Sequence, residues 1–303
     1  MICTDLKLKW TLVIVLIVVP FTVLQAQCYP WLEQITRQEQ LTMGCDNLVV
    51  KSRGRLNVTS LDHILVDHKH KLLYCYVPKV ACTNFKRVMM VLTGESSATN
   101  LVEIPATLAH SENSTLRLSQ LSRDEARACL KDYTIFLIAR HPFERLLSAF
   151  RNKFVDSLPS SKYFQARYGR HILRKYRVNA SRSEIQSGTN VTFQEFVHYL
   201  LTEGITTNEH WTPIYDLCSP CLLNYTFIGH YETISEDTKT VLDMVGAPPI
   251  VFPVTRSGHT KEHLRWYFQQ LSIFEIQALY KMYERDFKLF GYGLEEMLGY
   301  DLA

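Results

Sequence analysis

Lysine, arginine and serine stand at two places in this chain where an anion is the natural ligand. The first is Tyr74-Cys-Tyr-Val-Pro-Lys-Val-Ala-Cys-Thr-Asn-Phe-Lys86, in which an apolar stretch runs into Pro78-Lys79 and then into a run of helical character. Free backbone N–H groups at a helix start, with the macrodipole behind them, attract negative charge, and Lys79 adds a mobile cation. Pro78, Lys79, Val80, Ala81, Cys82, Thr83 and Asn84 are therefore candidate phosphate-binding positions. The loop lacks the glycines and the terminal Gly-Lys-Ser/Thr of a Walker A sequence, which argues against an ordinary ATPase. The second place is Arg140-His-Pro-Phe-Glu-Arg-Leu-Leu-Ser148-Ala-Phe-Arg151. The planar fork of Arg140 and the hydroxyl of Ser148 suit a terminal phosphate, with Arg145 and Arg151 close by. Two such sites imply one ligand carrying two separated anionic groups.

Each site needs a strand to carry it and a helix to close it. Leu72, Leu73, Tyr74, Tyr76 and Val77 have the aromatic and β-branched bias of a buried strand, and Thr83 or Asn84 is expected to cap the helix that continues to Leu92. Thr134-Ile-Phe-Leu-Ile-Ala139 is a continuous apolar run suited to a central strand. Pro142 fits the first turn of the following helix, which places Ser148 about two turns along it. Capping boxes are expected at Ser122, Thr233 and Ser272. The last opens a helix whose Leu279, Tyr280, Tyr283, Phe287 and Phe290 form one apolar stripe. Residues 193–201 have helical spacing and residues 224–228 read as a strand. Alternating strands and helices predict an α/β fold with a mostly parallel sheet and ligand sites at the C-terminal strand ends.

These segments resemble the two signatures of the Golgi carbohydrate sulfotransferases that use 3′-phosphoadenosine 5′-phosphosulfate (PAPS). The Tyr76-Val-Pro-Lys-Val-Ala-Cys-Thr-Asn84 loop resembles their 5′-phosphosulfate site, and Arg140-x7-Ser148 their 3′-phosphate site. Asn208-Glu-His-Trp211, Leu217-Cys-Ser-Pro-Cys221, Gly229-His-Tyr-Glu-Thr233 and Tyr283-x-x-Asp286-Phe-x-x-Phe290-x-Tyr292 are similar to the branch acting on N-acetylgalactosamine. Within that branch the phosphosulfate loop looks most like that of chondroitin 4-O-sulfotransferases. The chain departs from the pattern at Phe85, where tryptophan is usual, and at Arg256-Ser-Gly-His-Thr260-Lys-Glu-His263, where a Ser/Thr-Arg-Thr element is usual. An arginine of the family's cofactor or substrate shell would then be absent, or supplied by Arg256 or Lys261.

The resemblance implies a P-loop-like sulfotransferase fold, PAPS as sulfuryl donor without a metal, and transfer to the 4-hydroxyl of N-acetylgalactosamine in chondroitin. Dermatan, a terminal N-glycan N-acetylgalactosamine, and a non-catalytic glycan-binding role are the alternatives. Lys79 would stabilise the bridging oxygen, and a histidine is the natural base near neutral pH. His110 lies between the two phosphate motifs, where related sulfotransferases place theirs. His210 is the second candidate, and Trp211 beside it is expected to stack on a sugar face, with Arg145 and Arg151 as further substrate contacts. A kinase would need magnesium-binding carboxylates beside the loop, and none is seen.

Charge and compartment agree with a glycan partner. The formal net charge is only +3, yet residues 140–182 hold eleven Lys/Arg against Glu144 and Asp156. This segment matches no nucleic-acid module, so a glycosaminoglycan is the better partner than nucleic acid. Residues 10–26 read as an uncleaved signal-anchor with Lys7 and Lys9 before it, a cleaved signal peptide being the alternative, giving a cytosolic tail (1–9), a luminal stem (27–63) and a catalytic domain (64–303) in a type II Golgi membrane protein. Sequons at Asn57, Asn113, Asn179, Asn190 and Asn224 fit the secretory lumen. Of eight cysteines, Cys3 would be cytosolic. Cys75 and Cys82 are expected to be unpaired, and Cys218 and Cys221 to bond each other.

Overall fold

The structure is a computed structural model and describes residues 21–49, 61–253 and 260–294. Four strands form one sheet in the order β1 (Ile64–Asp67), β2 (Leu72–Cys75), β3 (Thr134–Ala139) and β4 (Phe227–His230). β1 pairs antiparallel to β2, while β2–β3 and β3–β4 are parallel. The mostly parallel sheet is thus present. Its strands are buried along nearly their whole length, which explains their unbroken apolar runs.

The principal helices are α1 (Phe21–Val49), α2 (Cys82–Thr93), α3 (Arg123–Asp132), α4 (Pro142–Phe150), α5 (Pro159–Phe164), α6 (Arg170–Tyr176), α7 (Phe193–Tyr199), α8 (Ile214–Cys218), α9 (Ile234–Met244) and α10 (Ile273–Leu289). The capping boxes at Ser122 and Ser272 form as expected. The one at Thr233 does not: its hydroxyl donates to Asp237, leaving that helix start without a side-chain cap. π-helical turns extend α4 (Arg151–Val155), α5 (Gln165–Gly169) and α7 (Leu200–Gly204). Such an inserted residue shifts the helical register, and the first turn directs Arg151, Asn152 and Lys153 into the cleft described below.

Two apolar cores flank that cleft. One surrounds the sheet, where Phe85 lies 4.9 Å from Tyr74 and 5.7 Å from Phe136, so phenylalanine fills the position where the resemblance leads one to expect tryptophan. The other packs Phe143, Phe150, Phe196, Trp211, Tyr283 and Phe287. Helix α1 spans the end of the expected anchor and the first part of the expected stem, to Val49, and packs against α10, β4 and α9. Leu41 is buried, and Arg37 bonds both carboxylate oxygens of Asp237 at 2.9 Å. No helix among the described residues is long and apolar enough to cross a membrane. Most of the expected anchor, with Cys3, Asn57 and Arg256, lies outside the described residues, and so does the side chain of Lys261. Asn113, Asn179, Asn190 and Asn224 are exposed.

The cysteine pairing differs from expectation. Cys218 bonds Cys75 and Cys221 bonds Cys45, so Cys218 and Cys221 do not pair with each other, and Cys75 is not free. Cys82 is free, as expected. Ser219 adopts φ 45° between the two half-cystines, a turn that lets each reach a different part of the fold.

Candidate active site

The two signature segments meet at one cleft of about 980 Å³, lined by Pro78, Lys79, Ala81, Cys82, Thr83, Arg140, Ser148 and Arg151, and by His110, Lys153, Asp156, Glu209, His210 and Tyr231 among others. One end of it is built by β2 and β3. Between β2 and α2 the chain takes left-handed conformations at Lys79 (φ 71°) and Ala81 (φ 51°). For non-glycine residues each costs about 1–2 kcal/mol, a strain tolerated where the surroundings over-determine it. The surroundings here are two arginines. Arg140 donates to the Lys79 carbonyl at 3.1 Å, and Arg145 to the Pro78 carbonyl at 3.0 Å. With the loop's carbonyls held this way, α2 opens at Ala81 with no side-chain cap, so its N-terminus is available to an anion. Thr83 and Asn84 are therefore not the caps: the Thr83 hydroxyl meets His110, and the Asn84 side chain accepts from Arg87.

Burial lowers the Lys79 ammonium from its ordinary value to about 8, with Lys153 and Arg140 adding repulsion and Cys82 opposing. An incoming anion relieves that repulsion. Arg140 is almost fully buried, ion-paired to Glu144 at 3.3 Å and stacked 4.2 Å over the Tyr231 ring. Ser148 lies on α4 and lines the same cleft. Lys153 rests 4.4 Å over Phe164, its ammonium also depressed by burial.

Two expected substrate contacts are structural instead. Arg145 is 1% exposed and donates to the carbonyls of Pro78, Glu209 (2.9 Å) and Thr212 (2.7 Å). Its fork is spent on backbone, tying the Pro78-Lys79 loop to residues 209–212. Trp211 is fully buried, and its indole N–H donates to the Gly204 carbonyl at 2.8 Å, so no face is offered to a sugar. Both errors have one cause: burial is set by distant chain segments. Arg151 does line the cleft.

The two histidines differ in their free lone pairs. His110 Nδ1 lies 3.5 Å from the Lys86 ammonium, which can only donate, so Nε2 carries the hydrogen and donates to Thr83 Oγ1 at 2.9 Å. His210 is fixed the other way. Asn208 Oδ1 accepts from the His210 main-chain N–H at 3.0 Å and from Nδ1 at 2.7 Å, which leaves Nε2 with its lone pair and no partner among the described residues. Burial, followed by Lys153 and Lys79, pushes His210 well below the usual imidazole range. It is neutral near pH 7. Sequence reasoning passed over Glu209, although it stands inside the Asn208-Glu-His-Trp211 segment and lines the cleft.

Residues 62–293 match the sulfotransferase family profile, and the chain belongs to the sulfotransferase family. It is 41% identical over 274 residues to carbohydrate sulfotransferase 11 of Mus musculus, covering 88% of this chain and 77% of that protein. Identity to carbohydrate sulfotransferase 14 of Danio rerio is 43% over 241 residues, or 78% of this chain and 64% of the relative. With carbohydrate sulfotransferase 8 of Homo sapiens it is 38% over 250 residues, or 80% and 58%. No solved structure matches the chain. No group of three or more potential metal ligands occurs among the described residues.

Proposed function

We propose that this protein transfers the sulfuryl group of PAPS to a sugar hydroxyl, the 4-hydroxyl of N-acetylgalactosamine in chondroitin, within the Golgi lumen. The convergence of Lys79, Arg140 and Ser148 on one cleft carries the reading. The residues suit the donor: the uncapped start of α2 and Lys79 meet its 5′ end, while Arg140 and Ser148 meet its 3′-phosphate. When bound, PAPS supplies the activated sulfuryl group. Lys79 then balances charge growing on the bridging oxygen, in a site whose cations are already partly desolvated. His210 takes the acceptor proton at Nε2, held in the productive tautomer by Asn208. His110, with both ring nitrogens engaged, positions Thr83 at the helix start.

Two disulfides and the exposed sequon asparagines support a secretory compartment. Similarity to carbohydrate sulfotransferase 11 supports a carbohydrate acceptor. The test is transfer from labelled PAPS to a panel of desulfated glycans, followed by mapping of the label. Label on O4 of N-acetylgalactosamine in chondroitin is expected, and absence of transfer to every glycan would overturn the proposal.

A further inference from the structure

The cleft holds a carboxylate that the chemistry above does not use. Glu209 lies there with Lys79, Arg140, Arg151 and Lys153, and its side chain is 40% exposed. A negative charge in this position weakens the cleft's hold on an anionic ligand. It is nevertheless anchored at one oxygen and at its backbone. The Tyr76 hydroxyl donates to Oε2 at 3.3 Å, while His63 Nε2, at 3.6 Å from the same oxygen, makes no hydrogen bond to it. The His63 ring stacks on Tyr76 with centroids 4.4 Å apart, and its Nδ1 donates to the Tyr76 carbonyl at 3.1 Å. Arg145 grips the Glu209 main-chain carbonyl at 2.9 Å. The Tyr76 hydrogen bond falls on Oε2, so Oε1 has no hydrogen-bond partner among the described residues. An ionised carboxylate only accepts hydrogen bonds. In a cleft of cations it is the group that binds a neutral hydroxyl or amide N–H and repels a sulfate or carboxylate.

We propose that Glu209, positioned by Tyr76, which His63 braces by stacking, selects the acceptor. Its free oxygen takes a hydrogen bond from a hydroxyl or the N-acetyl N–H of the hexosamine being modified, and it excludes an anionic substituent from that place. This rests on the sulfotransferase reading above.

The test measures kcat and KM of the full chain with labelled PAPS and two probes, desulfated chondroitin oligosaccharides and the same oligosaccharides bearing 6-O-sulfate. In Glu209→Gln, KM for the desulfated probe should rise about 10-fold with kcat within about threefold, the pattern expected when a ground-state hydrogen bond is removed. The kcat/KM ratio of sulfated over desulfated probe should rise about 10-fold, because the repulsive element is gone. Glu209→Asp should raise KM while keeping the wild-type preference, and His63→Gln should move KM and the ratio in the Glu209→Gln direction by less.

An unchanged ratio in a Glu209→Gln protein that 3′-phosphoadenosine 5′-phosphate still stabilises against heat overturns the proposal. So does a kcat loss of about 100-fold at constant KM, which would place Glu209 on the proton. If Glu209→Gln does not fold, Glu209→Asp decides, and loss of its preference for the desulfated probe overturns the proposal. A wild-type chain inactive on every glycan overturns the sulfotransferase reading and this one with it, whereas an active wild type with an unchanged ratio overturns this one alone.

Discussion

Lys79 and Arg140 leave the ends of two neighbouring parallel strands, whereas Glu209 and His210 hang from the turn between a π-helical segment and α8. At the strand ends, position follows from sheet geometry: parallel pairing of β2 and β3 sets the Lys79 and Arg140 junctions side by side. At the turn, nothing local sets position. It is imposed by the three-carbonyl grip of Arg145, by burial of Trp211 and by the Asn208 side chain. A donor shared by a family can be held by a motif. An acceptor pocket assembled from remote contacts can change by altering those contacts alone.

The sharpest way to break this division is at the acceptor turn. His210→Ala should lower kcat by about 100- to 10,000-fold, the scale of a general base, and leave affinity for 3′-phosphoadenosine 5′-phosphate unchanged by titration calorimetry. Were His110→Ala to do this while His210→Ala did not, the proton would belong to His110. Lys79→Ala crosses the division, since it should lose about 100- to 1000-fold in rate and also bind the nucleotide more weakly. Normal turnover in that variant would remove Lys79 from the leaving-group role.

Arg140→Ala confines the damage to the donor end. It removes a charge-assisted hydrogen bond worth about 1.5–3 kcal/mol, so nucleotide Kd should rise roughly 10- to 100-fold, against about fivefold for Ser148→Ala, which removes a neutral one. Acceptor KM should stay constant in both, and a shifted KM would show that the two ends are not separable. The mildest probe is pH. The free protein's Lys79 loses its proton as pH rises through about 8, so kcat/KM should decline on that side. His210, pushed below its usual range, should put the acid limb below about 6.5. An acid limb near 7 would contradict the assignment.

The same division explains which features could be read from sequence. β3 coincides with the apolar run 134–139, and Ser148 falls two turns into α4, because strand burial and helical pitch are local properties. Lys79 and Arg140 were legible as punctuation at the ends of such runs. Arg145 sits five residues from Arg140 and looks equivalent to it, but only the fold shows that its guanidinium is sealed against backbone carbonyls. Trp211 beside a histidine fits a sugar platform as well as a core. The π-helical turns break the 3.6-residue period that would locate Lys153. The Cys75–Cys218 and Cys45–Cys221 bonds span 143 and 176 residues, and the nearness of Cys218 to Cys221 in sequence says nothing about either.

The tetrapeptide Cys218-Ser-Pro-Cys221 is also a mechanical coupling. Tension applied to the amino-terminal side of α1 passes through Cys45–Cys221, along Pro220 and Ser219, through Cys218–Cys75 and into the base of the Lys79 loop, bypassing β1 altogether. A truncated chain begun after Cys45 severs this route and strands the Cys221 thiol. Trimming toward the matched region that starts at residue 62 would therefore discard a fastening of the Lys79 loop, and a secreted form of the protein should begin upstream of α1's Arg37 and Cys45.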